Sequence, residues 1–305
     1  MSVPVLDIGG SHVTAALVDP ALGSVVPGTV HRAPIDPAAG AEAIVGGIVD
    51  TGARLTAAAG ATWGVAMPGP FDYQAGLAWF AGVGKFESLY GVDLGSMLTA
   101  RLPGPPASVR FLNDAEAFLI GEWRFGAASG HDRCVGLTLG TGIGSAFLAG
   151  GVIRQDGPGV PPEGRADLLS IDGKPLEETV SSRAIRAAYQ RRNTTADETE
   201  VDVDVAEIAH RALSGSDPDA TAVIESAFTR LGETLRPWLK AFGATALVVG
   251  GSMVGSWSLI GPPLRAGLDS DYEGRLTVTV AAEPEYAALL GAATYAKTAP
   301  AVHDP

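Results

Sequence analysis

The sequence is poor in cysteine, in basic residues and in long apolar runs. Its single cysteine, Cys134, excludes an intrachain disulfide and leaves no cysteine cluster for a structural zinc. Only 21 Lys and Arg stand against 34 Asp and Glu, a formal charge of −13 that repels nucleic-acid backbones and anionic membranes. No nucleic-acid or membrane partner is expected, and an anionic nucleotide would rest on backbone N–H groups, helix N-termini and a metal ion. No run of about 18 apolar residues offers a membrane span. Met1 to Asp7 enters a strand-like segment without a basic leader or cleavage signal, so a cytoplasmic protein is expected. Apolar residues are plentiful: 46% hydrophobic against 18% charged over 305 positions is enough for two lobes with their own cores.

Val3 to Ile8 reads as a buried strand, Gly9-Gly10 as a turn, and His12 to Val18 as a returning strand that stops at Asp19-Pro20. Ala39 to Ala59 has helical apolar spacing, and Thr62 to Met67 is a strand ending at Pro68-Gly69-Pro70. Arg110 to Leu112 reads as a short strand and Ala115 to Trp123 as a helix. The opening pattern then repeats: Val135 to Leu139, the turn Gly140-Thr141-Gly142-Ile143-Gly144, and Ser145 to Leu148. Two strand–glycine-turn–strand units suggest two related α/β lobes. Pro158 to Pro175 reads as a Gly/Pro-rich loop, Ser181 to Arg192 and Ala220 to Phe242 as helices, and Ala246 to Val249 as a strand meeting Gly250-Gly251. A strand over Leu276 to Ala281, a small-residue helix over Tyr286 to Ala296 and a frayed tail over Ala299 to Pro305 close the chain.

Asp7-Ile8-Gly9-Gly10-Ser11 joins a carboxylate at a strand end to glycines that let backbone N–H groups approach an anion, which suits phosphate and magnesium; a hairpin turn with a solvated Asp would look the same. Gly140-Thr141-Gly142 is equally ambiguous, and it is no dinucleotide fingerprint because a strand follows it. Asn113-Asp114 stands between a strand and a helix. It is either an N-cap or a general base, Asp114, with Asn113 orienting the acceptor hydroxyl. The tryptophans at 63, 123, 238 and 257 read as packing residues.

The order of these motifs, with Leu176-Glu177 before Ser181 and Val248-Val249-Gly250-Gly251-Ser252 late in the chain, resembles the ROK family of sugar kinases, relatives of hexokinase in the actin-like ATPase superfamily. The resemblance runs over nearly the whole chain. It implies an α/β fold of two actin-like ATPase (ribonuclease H-like) lobes around a central cleft. The boundaries expected are 1–114 for a lobe with acceptor-site elements, 115–290 for a lobe with the nucleotide site, and 291–305 for a helix and tail packing back on the first lobe. It implies an ATP- and Mg²⁺-dependent kinase acting on the primary hydroxyl of a hexose or analogue. Asp7, Gly9, Gly10 and Ser11 would approach the phosphates, with Asp7 on the metal's water shell, and Gly140, Thr141 and Gly142 would form a second phosphate loop. Gly250, Gly251 and Ser252 would line the adenosine site. Asp114 would be the base, and Asn113, Glu177, Pro68 and Gly69 would face the acceptor. A homodimer is common in the family.

The chain also departs from the family. Arg165-Ala166-Asp167-Leu168 replaces the usual Glu-x-Gly-His, the cysteine-rich zinc motif is missing, so no zinc site is expected, and Trp79 to Lys85-Phe86 replaces the usual sugar-contacting Asn near a Trp. These are acceptor contacts, so glucose is a doubtful best substrate; an amino sugar such as kanosamine or a C7 cyclitol is the alternative. Asp167 or Glu163 would pair with an ammonium or simply be solvated. Lys85 would touch an acceptor oxygen or be a surface lysine. His12 would approach phosphate or occupy the second strand's solvent face. Rival readings are a catalytically silent sugar-binding or regulatory member, and a polyphosphate donor in place of ATP. A DNA-binding regulator is not expected, since Asp7 stands too near the start to leave room for a helix-turn-helix.

Overall fold

A computed structural model describes residues 1–193, 203–268 and 275–298, and the chain divides into two compact units. The first comprises 1–129 with 282–305, and the second 130–281.

The first unit contains β1 (Val3–Ile8), β2 (His12–Asp19), β3 (Ser24–Val25), β4 (His31–Pro34), α1 (Ala41–Gly52), β5 (Thr62–Met67), β6 (Phe71–Asp72), β7 (Leu77–Ala78), α2 (Leu94–Arg101), β8 (Ser108–Asn113) and α3 (Asp114–Phe125). The second contains β9 (Arg133–Leu139), β10 (Ile143–Ala149), β11 (Val152–Arg154), β12 (Ser170–Ile171), β13 (Lys174–Pro175), α4 (Glu177–Val180), α5 (Ser182–Asn193), α6 (Val205–Ser214), α7 (Pro218–Phe242), β14 (Ala246–Gly250), α8 (Trp257–Leu268) and β15 (Thr277–Val280). The chain then re-enters the first unit with α9 (Ala287–Lys297).

Both units use one plan. In the first, the sheet order is β3-β2-β1-β5-β8, with β4 also on β2; β1 and β2 are antiparallel while β1, β5 and β8 run parallel. In the second, the order is β11-β10-β9-β14-β15, again an antiparallel hairpin beside three parallel strands. The repeated strand–glycine-turn–strand pattern in the sequence is this repeated hairpin.

β1 is apolar on nearly every residue because both its faces are covered. Leu6 and Ile8 pack with Ile44, Val45 and Ile48 of α1, while Val3 and Val5 pack with Leu289, Ala292 and Ala293 of α9. Alternate residues thus serve opposite cores. The second core joins Val135, Leu137 and Leu139 of β9 to Phe228, Leu231 and Leu235 of α7.

The expected boundary at 114/115 moves to 129/130, and that at 290/291 to 281/282, because α3 and α9 pack backbone to backbone. A Cβ on Gly121 would lie 2.0 Å from the Ala287 carbonyl oxygen, and one on Gly291 would lie 1.8 Å from that of Ala117. Neither helix can leave the other's unit. The helix expected over 39–59 stops at Gly52: Ala53 is its C-cap, and the Arg54 and Leu55 N–H groups close short turns onto the Thr51 and Gly52 carbonyls. The expected tail at 299–305 lies outside the described residues. Among the described residues no helix is long and apolar enough to cross a membrane.

Candidate active site

The parallel strands of the first unit end side by side. Asp7 of β1 is in register with Ala66 of β5, Ala66 with Leu112, and Met67 with Asn113. Strand spacing of about 4.8 Å therefore places Asp7, the Pro68-Gly69 turn and Asn113-Asp114 along one sheet edge roughly 10 Å long. The carboxyl ends of parallel strands are where open α/β sheets bind ligands.

Asn113 is the N-cap of α3. Its Oδ1 accepts from the Ala115 N–H at 2.9 Å and the Glu116 N–H at 3.4 Å, and its Nδ2 donates to the Tyr73 hydroxyl at 3.0 Å. That hydroxyl donates to the Met67 carbonyl at 3.2 Å. The two sequence readings of Asn113-Asp114 are thus compatible: capping fixes Asn113, and the next residue, Asp114, is held at the sheet edge. Tyr73 carried no signal in the sequence, since nothing in Phe71-Asp72-Tyr73 distinguishes it from a surface tyrosine.

Asp7 and Asp114 repel each other, and burial acts on both. The Asp7 carboxyl is pushed up to about 7, first by burial and then by the Asp114 charge, with Arg32 opposing. Burial also raises Asp114, while the Lys85 ammonium, the Ala115 N–H and Asn113 pull it down. Two coupled carboxyls at a ligand-binding edge give up their protons in separate steps.

The Gly9-Gly10-Ser11-His12 turn closes with the Gly9 N–H donating to the His12 carbonyl at 2.9 Å. Neither glycine has a positive φ. A Cβ on Gly10 would meet nothing closer than Lys85 Cδ at 3.9 Å, so the fold does not demand glycine there and the surface in front of the turn stays open to a ligand. His12 sits at the turn, with Nδ1 3.2 Å from Ser11 Oγ; burial and then Arg32 hold its imidazole below the usual range, which favours the neutral ring. Arg32 reaches this turn from β4, where it is in register with Thr14. The sequence gave no hint of it.

The second unit gathers the other glycine motifs. Gly250 of β14 is in register with Thr138 of β9, so Gly140-Thr141-Gly142 and Gly250-Gly251-Ser252 leave adjacent strand ends. A Cβ on Gly140 would lie 3.2 Å from Ser252 Oγ, and one on Gly142 2.3 Å from Glu177 Oε1. Ser182 ties the loop down: its N–H and Oγ donate to the Gly140 carbonyl at 3.2 and 2.8 Å. Ser181, the motif residue, instead accepts from the Ala184 N–H at 3.2 Å. Gly251 requires glycine. Its φ is +87° and a Cβ would lie 2.3 Å from the Leu139 carbonyl oxygen. Gly251→Ala is expected to cost about 2–3 kcal/mol, read as a lower denaturant midpoint.

Asp167 is already engaged. Arg165 donates to it through Nε at 3.3 Å and Nη2 at 2.7 Å, and Glu163 lies 3.6 Å from the same guanidinium. Ser145 Oγ pins this loop by donating to the Gly164 carbonyl and accepting from the Ala166 N–H.

The sequence profile of the ROK family matches residues 4–299. A glucokinase of Thermotoga maritima is 27% identical over 255 residues, 77% of this chain and 78% of that protein. A glucokinase of Streptomyces coelicolor is 28% identical over 280 residues, 85% of this chain and 84% of its own. Among solved structures, a ROK family glucokinase from Streptomyces griseus in complex with glucose and AMPPNP superposes with a TM-score of 0.76 at 24% identity, covering 97% of this chain and 99% of that one. The fold is that of the ROK sugar kinases, the actin-like ATPase fold.

Proposed function

The chain belongs to the ROK family, and from that premise we propose that it is an ATP-dependent sugar kinase that phosphorylates the primary hydroxyl of a neutral hexose or hexose analogue. The observation that carries this is the pairing of Asp114 with the open Gly9-Gly10 turn on one sheet edge, with Asn113 fixed beside them. A carboxyl raised by burial, at the end of β8, is suited to take the proton from the attacking hydroxyl. Asn113 keeps one N–H of its amide for the acceptor after capping α3 and binding Tyr73. Pro68 and Gly69 shape the floor beside it. Glu177, against Gly142, hydrogen-bonds ring hydroxyls, and Gly140, Thr141, Gly250, Gly251 and Ser252 cradle the nucleotide.

Magnesium fits the donor set. A magnesium ion brought in by nucleotide is held mostly by phosphate and water and needs one protein carboxylate. Asp7, whose ionisation is opposed by Asp114, is that carboxylate, and a cation there would relieve the repulsion. When bound, the ion neutralises charge on the phosphates.

Because Asp7 titrates at about 7, two consequences follow. Magnesium–nucleotide affinity should rise about tenfold per pH unit up to that point and level off above it, by calorimetry. The sign for stability is the reverse: a carboxyl raised on folding costs nothing at acid pH and costs most once ionised. Asp7→Asn should match the wild type's thermal midpoint near pH 4 and exceed it at pH 8.5.

Two of the relatives are glucokinases, others are polyphosphate glucokinases, and the Streptomyces griseus enzyme holds glucose and AMPPNP, which supports a sugar acceptor and puts ATP ahead as donor. The acceptor loop here differs. With Asp167 spent on Arg165, no free carboxylate there receives an ammonium, so a neutral hexose or a C7 cyclitol ranks above an amino sugar such as kanosamine. An ADP-release assay over glucose, mannose, amino sugars and cyclitols, with ATP or polyphosphate as donor, tests this. Turnover with ATP and a neutral acceptor is expected; no turnover with any pair would refute it.

A further inference from the structure

Lys85 belongs to the first unit. It lies at the end of Trp79 to Phe86, the stretch that replaces the family's sugar-contacting asparagine. That stretch is bent by positive φ at Gly82, Gly84 and Phe86, and the Phe86 N–H donates to the Pro37 carbonyl at 2.8 Å. Phe86 is fully buried, which anchors the loop's end and with it the neighbouring lysine. The Lys85 stem passes the Gly9-Gly10 turn, its Cδ 3.9 Å from where a Gly10 Cβ would be.

Among the described residues Lys85 makes no ion pair. The nearest acidic residue along the chain, Glu87, accepts from the Gly84 N–H at 3.1 Å instead. A partly buried lysine whose stem lies beside the open Gly9-Gly10 turn and whose charge is felt by Asp114 is placed for an anion that arrives with the substrate. Its charge is also the largest influence holding Asp114 down against burial.

We propose that Lys85 is a catalytic residue whose ammonium binds the oxygens of the phosphoryl group as it passes from nucleotide to acceptor, a role resting on the kinase reading above. The transferring group carries its charge on its non-bridging oxygens, where a fixed cation stabilises a loose transition state. In the step, the acceptor oxygen bonds to phosphorus, the bond to the leaving ADP oxygen breaks, and the acceptor's proton goes to Asp114. Lys85 stays protonated throughout.

Lys85→Met should lower kcat roughly 10²–10³-fold with the acceptor KM nearly unchanged, and Lys85→Arg should restore part of it. Circular dichroism and the thermal midpoint check that both variants fold. A second readout needs no turnover: calorimetric titration with Mg²⁺–AMPPNP and Mg²⁺–ADP. Lys85→Met should lose about tenfold in affinity for AMPPNP and almost nothing for ADP. Equal affinities for both nucleotides in variant and wild type would overturn the proposal. So would a loss confined to the acceptor KM, which would make Lys85 an acceptor contact. Absence of wild-type turnover with a normal AMPPNP-specific loss would instead refute the acceptor reading and leave Lys85 as the γ-phosphate contact.

Discussion

Asp114→Asn should cut turnover by roughly 10²–10⁴ while leaving a folded protein. The substitution keeps the shape and the capped start of α3, since Asn113 supplies the cap and an asparagine at 114 keeps the Oδ1 that accepts from the Ala115 N–H at 2.9 Å. It removes the carboxylate that stands next to Asn113 and its Tyr73–Met67 contacts and that would take the acceptor's proton. Stability should not fall and should rise once the wild-type Asp114 carboxyl is ionised, because a buried carboxylate is replaced by a neutral amide. The loss of the negative end at the first turn of the helix offsets this by about 0.5 kcal/mol. Asp7 supplies an internal check: without its neighbour's charge it should titrate below its present value of about 7. Near-normal turnover in the folded variant would remove Asp114 from the chemistry.

The largest expected effect on stability lies at Glu122. This carboxylate is 1% exposed on α3 and accepts from the Ala127 N–H at 2.7 Å, the Ala282 N–H at 3.1 Å and the Glu283 N–H at 3.4 Å. It fastens the chain where it returns to the first unit just before α9. Glu122→Ala removes the buried acceptor of three part-buried hydrogen bonds and should cost about 3–5 kcal/mol, since each bond to a charged group contributes roughly 1.5–3 and water at the exposed Ala282 and Glu283 makes up part of the loss. Glu122→Gln keeps one carbonyl oxygen for the two shorter bonds and should cost less than half as much. Chemical denaturation of both variants checks the pair. Equal midpoints for wild type and Glu122→Ala would show that these bonds carry no net stability.

The repeated hairpin, the individual strands and the glycine turns could be read from the sequence because local pattern dictates each of them, whereas their parallel pairing could not. Val3 to Ile8 has no polar residue before Asp7, and paired glycines follow it at Gly9-Gly10 just as Gly250-Gly251 follows Ala246 to Val249. α8 was illegible because Pro262-Pro263 lies inside it and reads as a break. α6 is short, and its apolar positions Ile208, Ala209 and Ala212 alternate with charged ones. The division between the units was misplaced because the affinity of α3 for α9 rests on two glycines, Gly121 and Gly291, more than 160 residues apart. Within the site, residue types at strand ends were visible, whereas Tyr73, Arg32 and Ser182 enter by side-chain reach from other elements, which has no periodicity to detect.

Phosphorus NMR of the wild type with Mg²⁺–ATP and a panel of neutral hexoses and cyclitols tests the proposed reaction most directly. A new phosphomonoester signal, split into a triplet by two methylene protons and absent with Asp114→Asn, is the expected result. A phosphate signal without that triplet, or a triplet undiminished in Asp114→Asn, would contradict either the primary hydroxyl as acceptor or Asp114 as its base.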